Sequence, residues 1–210
     1  MLPIPSSHPL WKKYQILNAI TNIFSGINYA LALNSIISAL SNSVLLTGAL
    51  NFIYKDVIGQ LFSIFFAYTR INKPDENPIK HGIIFYFLIQ IFYLLDNITP
   101  FFPKYFLLIA GLSSIGKNVC MIAIGSVNVK CIEELSNNNM GKVYSKIASQ
   151  NSFFSSMGMG IGGGLCILFP EHLERLYMFC PIISFLDILS YYFSIQPVLK
   201  EREAMEEYLI

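Results

Sequence analysis

Four ionisable residues lie near the middle of long apolar stretches, where no water would solvate a charge. Lys55 and Asp56 are adjacent in one stretch, Lys117 lies in a second, and Asp187 lies in a third. A charge at the centre of a bilayer costs at least about 2.5–3.5 kcal/mol, so such residues normally pair with one another or line a polar cavity. We therefore expect Asp56 to pair with Lys117. By the same reasoning, we expect Lys55 to pair with Asp187.

Two kinds of chemistry stay open for these charges. They could form a buried ion-pair network that sets the register of the helices, or they could bind a small polar solute or an ion in a water-filled cavity. Because adjacent residues on a helix point about 100° apart, Lys55 and Asp56 are not expected to face the same partner.

Other residue patterns that carry chemistry are missing from the sequence. No Ser-His-Asp, Cys-His or His-Glu-x-x-His arrangement is present, so neither an enzyme nor any catalytic residue is predicted. The four cysteines and three histidines lack metal-ligand spacing, and neither a metal nor a cofactor is expected. Residues 111–118 nearly fit a phosphate-binding loop, but they lack the final Ser or Thr and lie in an apolar stretch.

The composition favours a membrane as the surroundings of these charges. Of the 210 residues, 54% are hydrophobic and only 13% are charged; soluble domains have about 25% charged residues. The mean hydropathy is +0.53 and the formal net charge is +1. These values favour an integral membrane protein whose main partner is the lipid bilayer. They argue against a nucleic-acid partner, which requires a basic surface.

Six apolar segments are long enough to cross a bilayer, which takes roughly 17–25 residues. They cover residues 16–40, 44–68, 82–98, 105–127, 152–169 and 176–195. Backbone polar groups inside lipid must bond within their own segment, so each segment is predicted to be a helix. The predicted fold class is all-α, a polytopic integral membrane bundle of about six transmembrane segments. A single membrane domain covers residues 16–199, between an interfacial leader (1–15) and a charged tail (200–210).

The basic residues indicate how such a bundle is oriented. With six spans, ten of the fourteen lysines and arginines fall on the side of both termini, and two fall on the opposite side. Positive residues favour the cytoplasmic face, so the N and C termini are predicted to lie on the cytoplasmic side.

The fifth segment contains a run of glycines that suits close helix packing. Gly158 and Gly162 are four residues apart, as are Gly160 and Gly164. Residues four apart share one face of a helix, so each pair offers a bare surface to another backbone. We predict that these glycines pack against a neighbouring helix; the same run would also permit a kink.

The first segment is unusually polar for a membrane span. Asn18, Asn22, Ser25 and Asn28 stay within an arc of about 120° on a helix. Amide groups are poorly tolerated against lipid, so the stripe is expected to face other helices or a cavity. Hydrogen bonding between helices is its expected role.

Several stretches of the chain resemble motifs of the root UVB sensitive family. Residues 54–67, YKDVIGQLFSIFFA, resemble the family stretch LKDGLGQLGRILFA, and residues 98–103 resemble its LTPLFP element. Residues 114–118 and 139–146 follow its AKN and N-[IL]-G-D-V-[TS]-A-K elements in the same order. The likeness extends over roughly residues 10–200.

This resemblance implies a membrane-embedded protein from a family associated with UV-B responses and vitamin B6 homeostasis. It places Lys55, Asp56, Gly59 and Lys117 on family-motif positions, which adds Gly59 to the candidate polar site. No established catalytic residue comes with it. The chain departs from the family motif at Lys142, where the family has Asp.

Two functions follow as hypotheses. The first is a membrane protein that transports or senses a small polar metabolite, for which the resemblance suggests a vitamin B6-related compound; Asp56 and Lys117 would line its cavity. The alternative is a non-transporting scaffold that assembles a complex with itself, a family member or other partner proteins. In a scaffold the charges only hold the bundle together, so a dry centre distinguishes it from a carrier.

Overall fold

Six α-helices make up almost all of the part of the chain that the computed structural model describes. The described residues are 9–40, 45–70, 77–136, 139–170 and 173–208. The helices are α1 (Trp11–Leu40), α2 (Leu45–Arg70), α3 (Pro78–Ile98), α4 (Phe106–Ser136), α5 (Met140–Leu168) and α6 (Leu173–Tyr208). Two short 3₁₀ helices, Thr99–Phe101 and Pro103–Tyr105, join α3 to α4. These described ranges contain no strand, which confirms the all-α prediction.

Four of the helices are long and apolar enough to cross a membrane, judged by length and composition. They are α1, α3, α4 and α6. Among the described residues, α2 and α5 do not reach the same hydropathy. The charged residues Lys55 and Asp56 lower the mean hydropathy of α2. The first turns of α5, from Gly141 to Asn151, are rich in polar residues.

Most of the helices extend beyond the apolar segments predicted from the sequence. α5 begins at Met140 rather than at residue 152, and α4 ends at Ser136 rather than at residue 127. Hydropathy marks only the part of a helix that suits lipid, whereas backbone hydrogen bonding continues the helix into polar sequence.

The predicted leader and tail are partly helical. α1 begins at Trp11, within the predicted leader, and α6 continues to Tyr208, within the predicted tail. The first eight residues of the leader lie outside the described part of the chain.

The core of the bundle lies between α1, α3, α4 and α6 and includes Val143 and Ile147 from the start of α5. Trp11, Tyr86, Val127, Leu135 and Ile195 are among its buried side chains. α5 packs on the outside of α1, and α2 packs on the outside of α4. The two peripheral helices therefore contact opposite members of the central group, and each forms one wall of a cavity described below.

α5 approaches α1 through glycines. A Cβ on Gly158 would collide with the backbone oxygen of Ile23, and a Cβ on Gly162 would lie 2.9 Å from the backbone oxygen of Ile27. The opposing residue on α1, Gly26, is equally close to the backbone of α5. Close approach of two helix backbones therefore needs the missing side chains at this contact.

The second predicted glycine pair lies away from this contact. A Cβ on Gly160 or Gly164 would have no atom of the described residues within 4 Å. Positions two residues apart on a helix point about 200° apart, so the two pairs cannot serve the same neighbour. The structure therefore places one pair against α1 and leaves the other in open space.

Candidate functional site

A polar cavity of about 240 Å³ lies between α1, α2, α3 and α4. Three of the predicted residues line it: Lys55, Asp56 and Lys117. Asp96, near the end of α3, lines it as well. Two ammonium groups and two carboxylates therefore share one space, which we call the charged cavity.

The first ion pair of the charged cavity joins α3 to α4. Lys117 Nζ donates a hydrogen bond to Asp96 Oδ2. Asp96 is fully buried, and the side chain of Lys117 is 17% exposed. The Lys117 ammonium also lies 5.5 Å from the centre of the Tyr93 ring, whose negative face attracts a cation.

The other carboxylate oxygen of Asp96 is left without a partner. Asp96 Oδ1 is buried and accepts no hydrogen bond from any described residue. A buried polar atom in this state costs roughly 1–3 kcal/mol. This atom lies beside the charged cavity, because Asp96 is one of the lining residues, but it is shielded from the open space.

The second ion pair joins two neighbours on α2. Lys55 Nζ lies 2.5 Å from Asp56 Oδ1; Lys55 is buried, whereas the Asp56 side chain is 45% exposed. The sequence predicted a different partner for each of these residues, and their pairing with each other was not among those predictions. The long, flexible stem of lysine reaches back over the angle between the two positions.

The ion pairs predicted from segment depth are wrong. Lys117 pairs with Asp96 and not with Asp56, and Lys55 does not pair with Asp187. The sequence did not single out Asp96 as a mid-span charge, because it lies near the end of its apolar segment rather than at the middle. One signal could have found it, since Asp96 is the only acidic residue between residues 82 and 98.

Asp187 belongs to a separate, buried network. Its two carboxylate oxygens accept hydrogen bonds from the Tyr86 hydroxyl at 2.9 Å and from the Gln90 amide at 2.7 Å. The Gln90 oxygen in turn accepts a hydrogen bond from the Asn28 amide at 3.0 Å. These bonds connect α1, α3 and α6, and Asp187 does not line the charged cavity.

Gly59 brings α2 close to α4 beside the charged cavity. A Cβ at this position would collide with Ser114 Oγ and would lie 2.6 Å from Asn118 Nδ2. Both of these α4 residues line the cavity. The missing side chain therefore lets the preceding turn of α2, with Lys55 and Asp56, close one side of the cavity.

Fold and site together define a helical bundle with membrane-compatible helices and a charged cavity between them. Residues 5–201 match the family described as the vitamin B6 photo-protection and homoeostasis domain. The chain belongs to this family, that of the root UVB sensitive proteins, as its motifs predicted.

Two proteins of Arabidopsis thaliana are similar to this chain. Protein root UVB sensitive 4 is 28% identical over 182 residues, which cover 81% of this chain and 34% of that protein. Protein root UVB sensitive 3 is 24% identical over 155 residues, which cover 73% of this chain and 34% of that protein. The chain therefore spans about a third of the length of these curated relatives. No solved structure matches it.

Proposed function

We propose that this protein carries a small polar metabolite across a membrane and binds it in the charged cavity. The open space of about 240 Å³ beside the charged side chains is the observation that supports this function. A scaffold held together by ion pairs needs no such space. Cavities for drug-sized ligands measure about 300–1,000 Å³, so this one suits a smaller solute.

The lining of the charged cavity favours a solute that both donates and accepts hydrogen bonds. Lys117 can donate to hydroxyl, carboxylate or phosphate oxygens, and the half-exposed carboxylate of Asp56 can accept from a hydroxyl or an amine. The buried Tyr93 ring supplies an aromatic part of the lining. A vitamin B6 compound, a small aromatic ring with hydroxyl groups, has these features, and the description of the family supports it as the first candidate.

The proposal includes six membrane spans, because α2 and α5 also expose apolar side chains. Ile53, Leu61, Ile64 and Phe65 on α2 and Phe153 on α5 are each more than half exposed. Water would solvate these exposed apolar side chains poorly, whereas lipid tails solvate them well. Lipid around α2 would also keep water away from the outside of the charged cavity.

A bundle of six spans places the loop between α2 and α3 on the same side of the membrane as both termini. A reporter inserted at residues 72–77 is expected on the cytoplasmic side, together with tags at both termini, because the basic residues gather there. Protease protection in sealed vesicles measures the side of each tag. A loop reporter on the side opposite to the N-terminal tag would show that α1 and α2 do not both cross.

Uptake by proteoliposomes tests the proposed function. Purified protein is expected to take up at least one of a panel of labelled B6 vitamers and amino acids with saturation. Asp56→Asn is expected to reduce this uptake roughly tenfold to a hundredfold, because a hydrogen bond to a charged group is lost at the cavity. Because the change also removes a counter-ion of the buried Lys55, the unfolding midpoint of the variant is measured beside its uptake.

The control for this experiment is Gln60→Ala. Gln60 is exposed on the same helix, one turn beyond Asp56, and does not line the charged cavity. Its uptake is expected to equal that of the parent protein. If well-folded parent protein takes up no solute of the panel, transport of these solutes is refuted and the scaffold alternative gains support.

A further inference from the structure

A second polar cavity, of about 460 Å³, adjoins the charged one. Its lining comes from α1, α3, α4, α5 and α6. Amides and hydroxyls supply its polar groups, among them Asn18, Asn22, Ser25, Asn128 and Asn151. No charged side chain of the described residues lines it, so we call it the amide cavity.

The amide cavity and the charged cavity share a wall. Tyr29, Tyr93 and Met121 line both. Along α1, the amide cavity extends from Asn18 to Tyr29 and the charged cavity from Tyr29 to Ile36. At about 1.5 Å per residue, the distance from Asn18 to Ile36 is about 27 Å, close to the thickness of the hydrocarbon core of a bilayer.

α4 passes the same two cavities in the opposite order along the chain. Its residues 121–128 contribute to the amide cavity, and its residues 114–121 contribute to the charged cavity. Because α1 and α4 pass the two cavities in opposite directions, the cavities are stacked along the helices rather than side by side. Together they form one polar cleft along the bundle, and the shared residues lie where its two parts meet, with Tyr29 44% and Met121 59% exposed.

The amide cavity contains polar atoms that have no partner among the described residues. Asn18 Nδ2 donates to Asn151 Oδ1 at 2.6 Å, and Asn22 Nδ2 donates to the backbone oxygen of Asn18 at 2.6 Å. Within the described part of the chain, Asn22 Oδ1 and Asn151 Nδ2 therefore make no hydrogen bond. They offer one acceptor and one donor, both uncharged, to a solute.

We propose that the amide cavity is an additional binding site for uncharged polar solutes, which pass from it to the charged cavity through a partition formed by Tyr29, Tyr93 and Met121. This inference rests on the proposed transport function. Neutral amides hold a solute more weakly than ammonium and carboxylate groups do. The amide cavity therefore serves entry and release, and the charged cavity retains the solute.

Cysteine accessibility in proteoliposomes tests the path directly. Ser25→Cys places a thiol in the amide cavity, and Leu33→Cys places one in the charged cavity. We expect a membrane-impermeant maleimide to modify Ser25→Cys from one side of the membrane and Leu33→Cys from the other. Adding Tyr29→Ala is expected to open the partition, so that both thiols react from both sides.

The burial of each residue determines which native cysteines can stay in place and which position serves as the control. Cys120, Cys131 and Cys180 are buried and stay in place, and Cys166 is replaced by Ala. Phe185→Cys lies on the outer surface of α6, where Phe185 is 60% exposed, and is expected to face lipid and to stay unmodified. A Ser25→Cys thiol that reacts from neither side overturns the site, and one that reacts from both sides with Tyr29 intact overturns the partition.

Binding is measured by protection of the same thiol, with pyridoxine as the uncharged solute. Pyridoxine is expected to slow the modification of Ser25→Cys. Asn22→Leu is expected to raise the concentration for half-protection about threefold to tenfold, and Asn22→Gln to restore it, because one neutral hydrogen bond is lost and regained. Absence of protection, or equal protection with Asn22→Leu, overturns the binding site. If pyridoxine protects the thiol but the protein takes up no solute, the result counts against the proposed transport function alone.

Discussion

Replacing Asp96 with Asn is expected to destabilise the protein by about 3–5 kcal/mol, because the change breaks a buried ion pair from one side only. Asp96 is fully buried and is the carboxylate that Lys117 contacts. In the variant, the Lys117 ammonium stays in the cavity without its counter-ion. A lower midpoint temperature of unfolding in detergent solution measures the effect.

The double variant Asp96→Asn/Lys117→Gln is the matched control, since it leaves no unpaired charge. We expect it to recover most of the lost stability but to take up less solute than the parent protein, because the Lys117 ammonium that binds the solute is gone. Recovery in the double variant identifies the ion pair, rather than the shape of the Asp96 side chain, as the source of the loss. An Asp96→Asn protein as stable as its parent would contradict the buried pair.

Helix positions could be predicted from the sequence because the forces that determine them act along the chain. The length of an apolar segment and the need to hydrogen-bond every backbone group both depend on local sequence. All six helices lie where apolar segments were predicted. The helix ends were less predictable. α5 begins at Met140 in polar sequence, where Val143 and Ile147 pack into the core, a contact that mean hydropathy does not reveal.

The partners of the charges could not be predicted, because they depend on the rotation and register of helices distant in sequence. Segment depth favoured Lys117 with Asp56, but α3 and α4 bring Asp96 to Lys117 instead. The family motifs were a better guide than depth. They singled out Lys55 and Lys117 but not Asp187, and the structure separates these residues in the same way.

Which glycines would be buried also depended on the partner helix. Periodicity shows that Gly158 and Gly162 share one face and that Gly160 and Gly164 share another, but both pairs look equivalent in the sequence. Only the position of Gly26 on α1 distinguishes them, because it supplies the opposing bare surface. The sequence therefore predicts a close contact without predicting which face makes it.

Gly158→Ala is expected to be less stable than Gly160→Ala by about 1–3 kcal/mol, the usual cost of overpacking. The two substitutions are chemically identical and lie two residues apart on α5, so the gain in helix propensity cancels between them. At Gly158 the new methyl group would collide with the Ile23 backbone oxygen, which moves only if α1 and α5 separate. At Gly160 it enters open space, and alanine there is expected to stabilise the helix by up to about 1 kcal/mol.

Unfolding midpoints of the two alanine variants, measured in the same detergent, test this prediction. Equal midpoints would contradict the close contact of α1 with α5. The contact also matters for the amide cavity, because the hydrogen bond from Asn18 to Asn151 crosses the same pair of helices. Separation of α1 from α5 in Gly158→Ala is therefore expected to speed the modification of a thiol at Ser25→Cys, whereas Gly160→Ala leaves that rate unchanged.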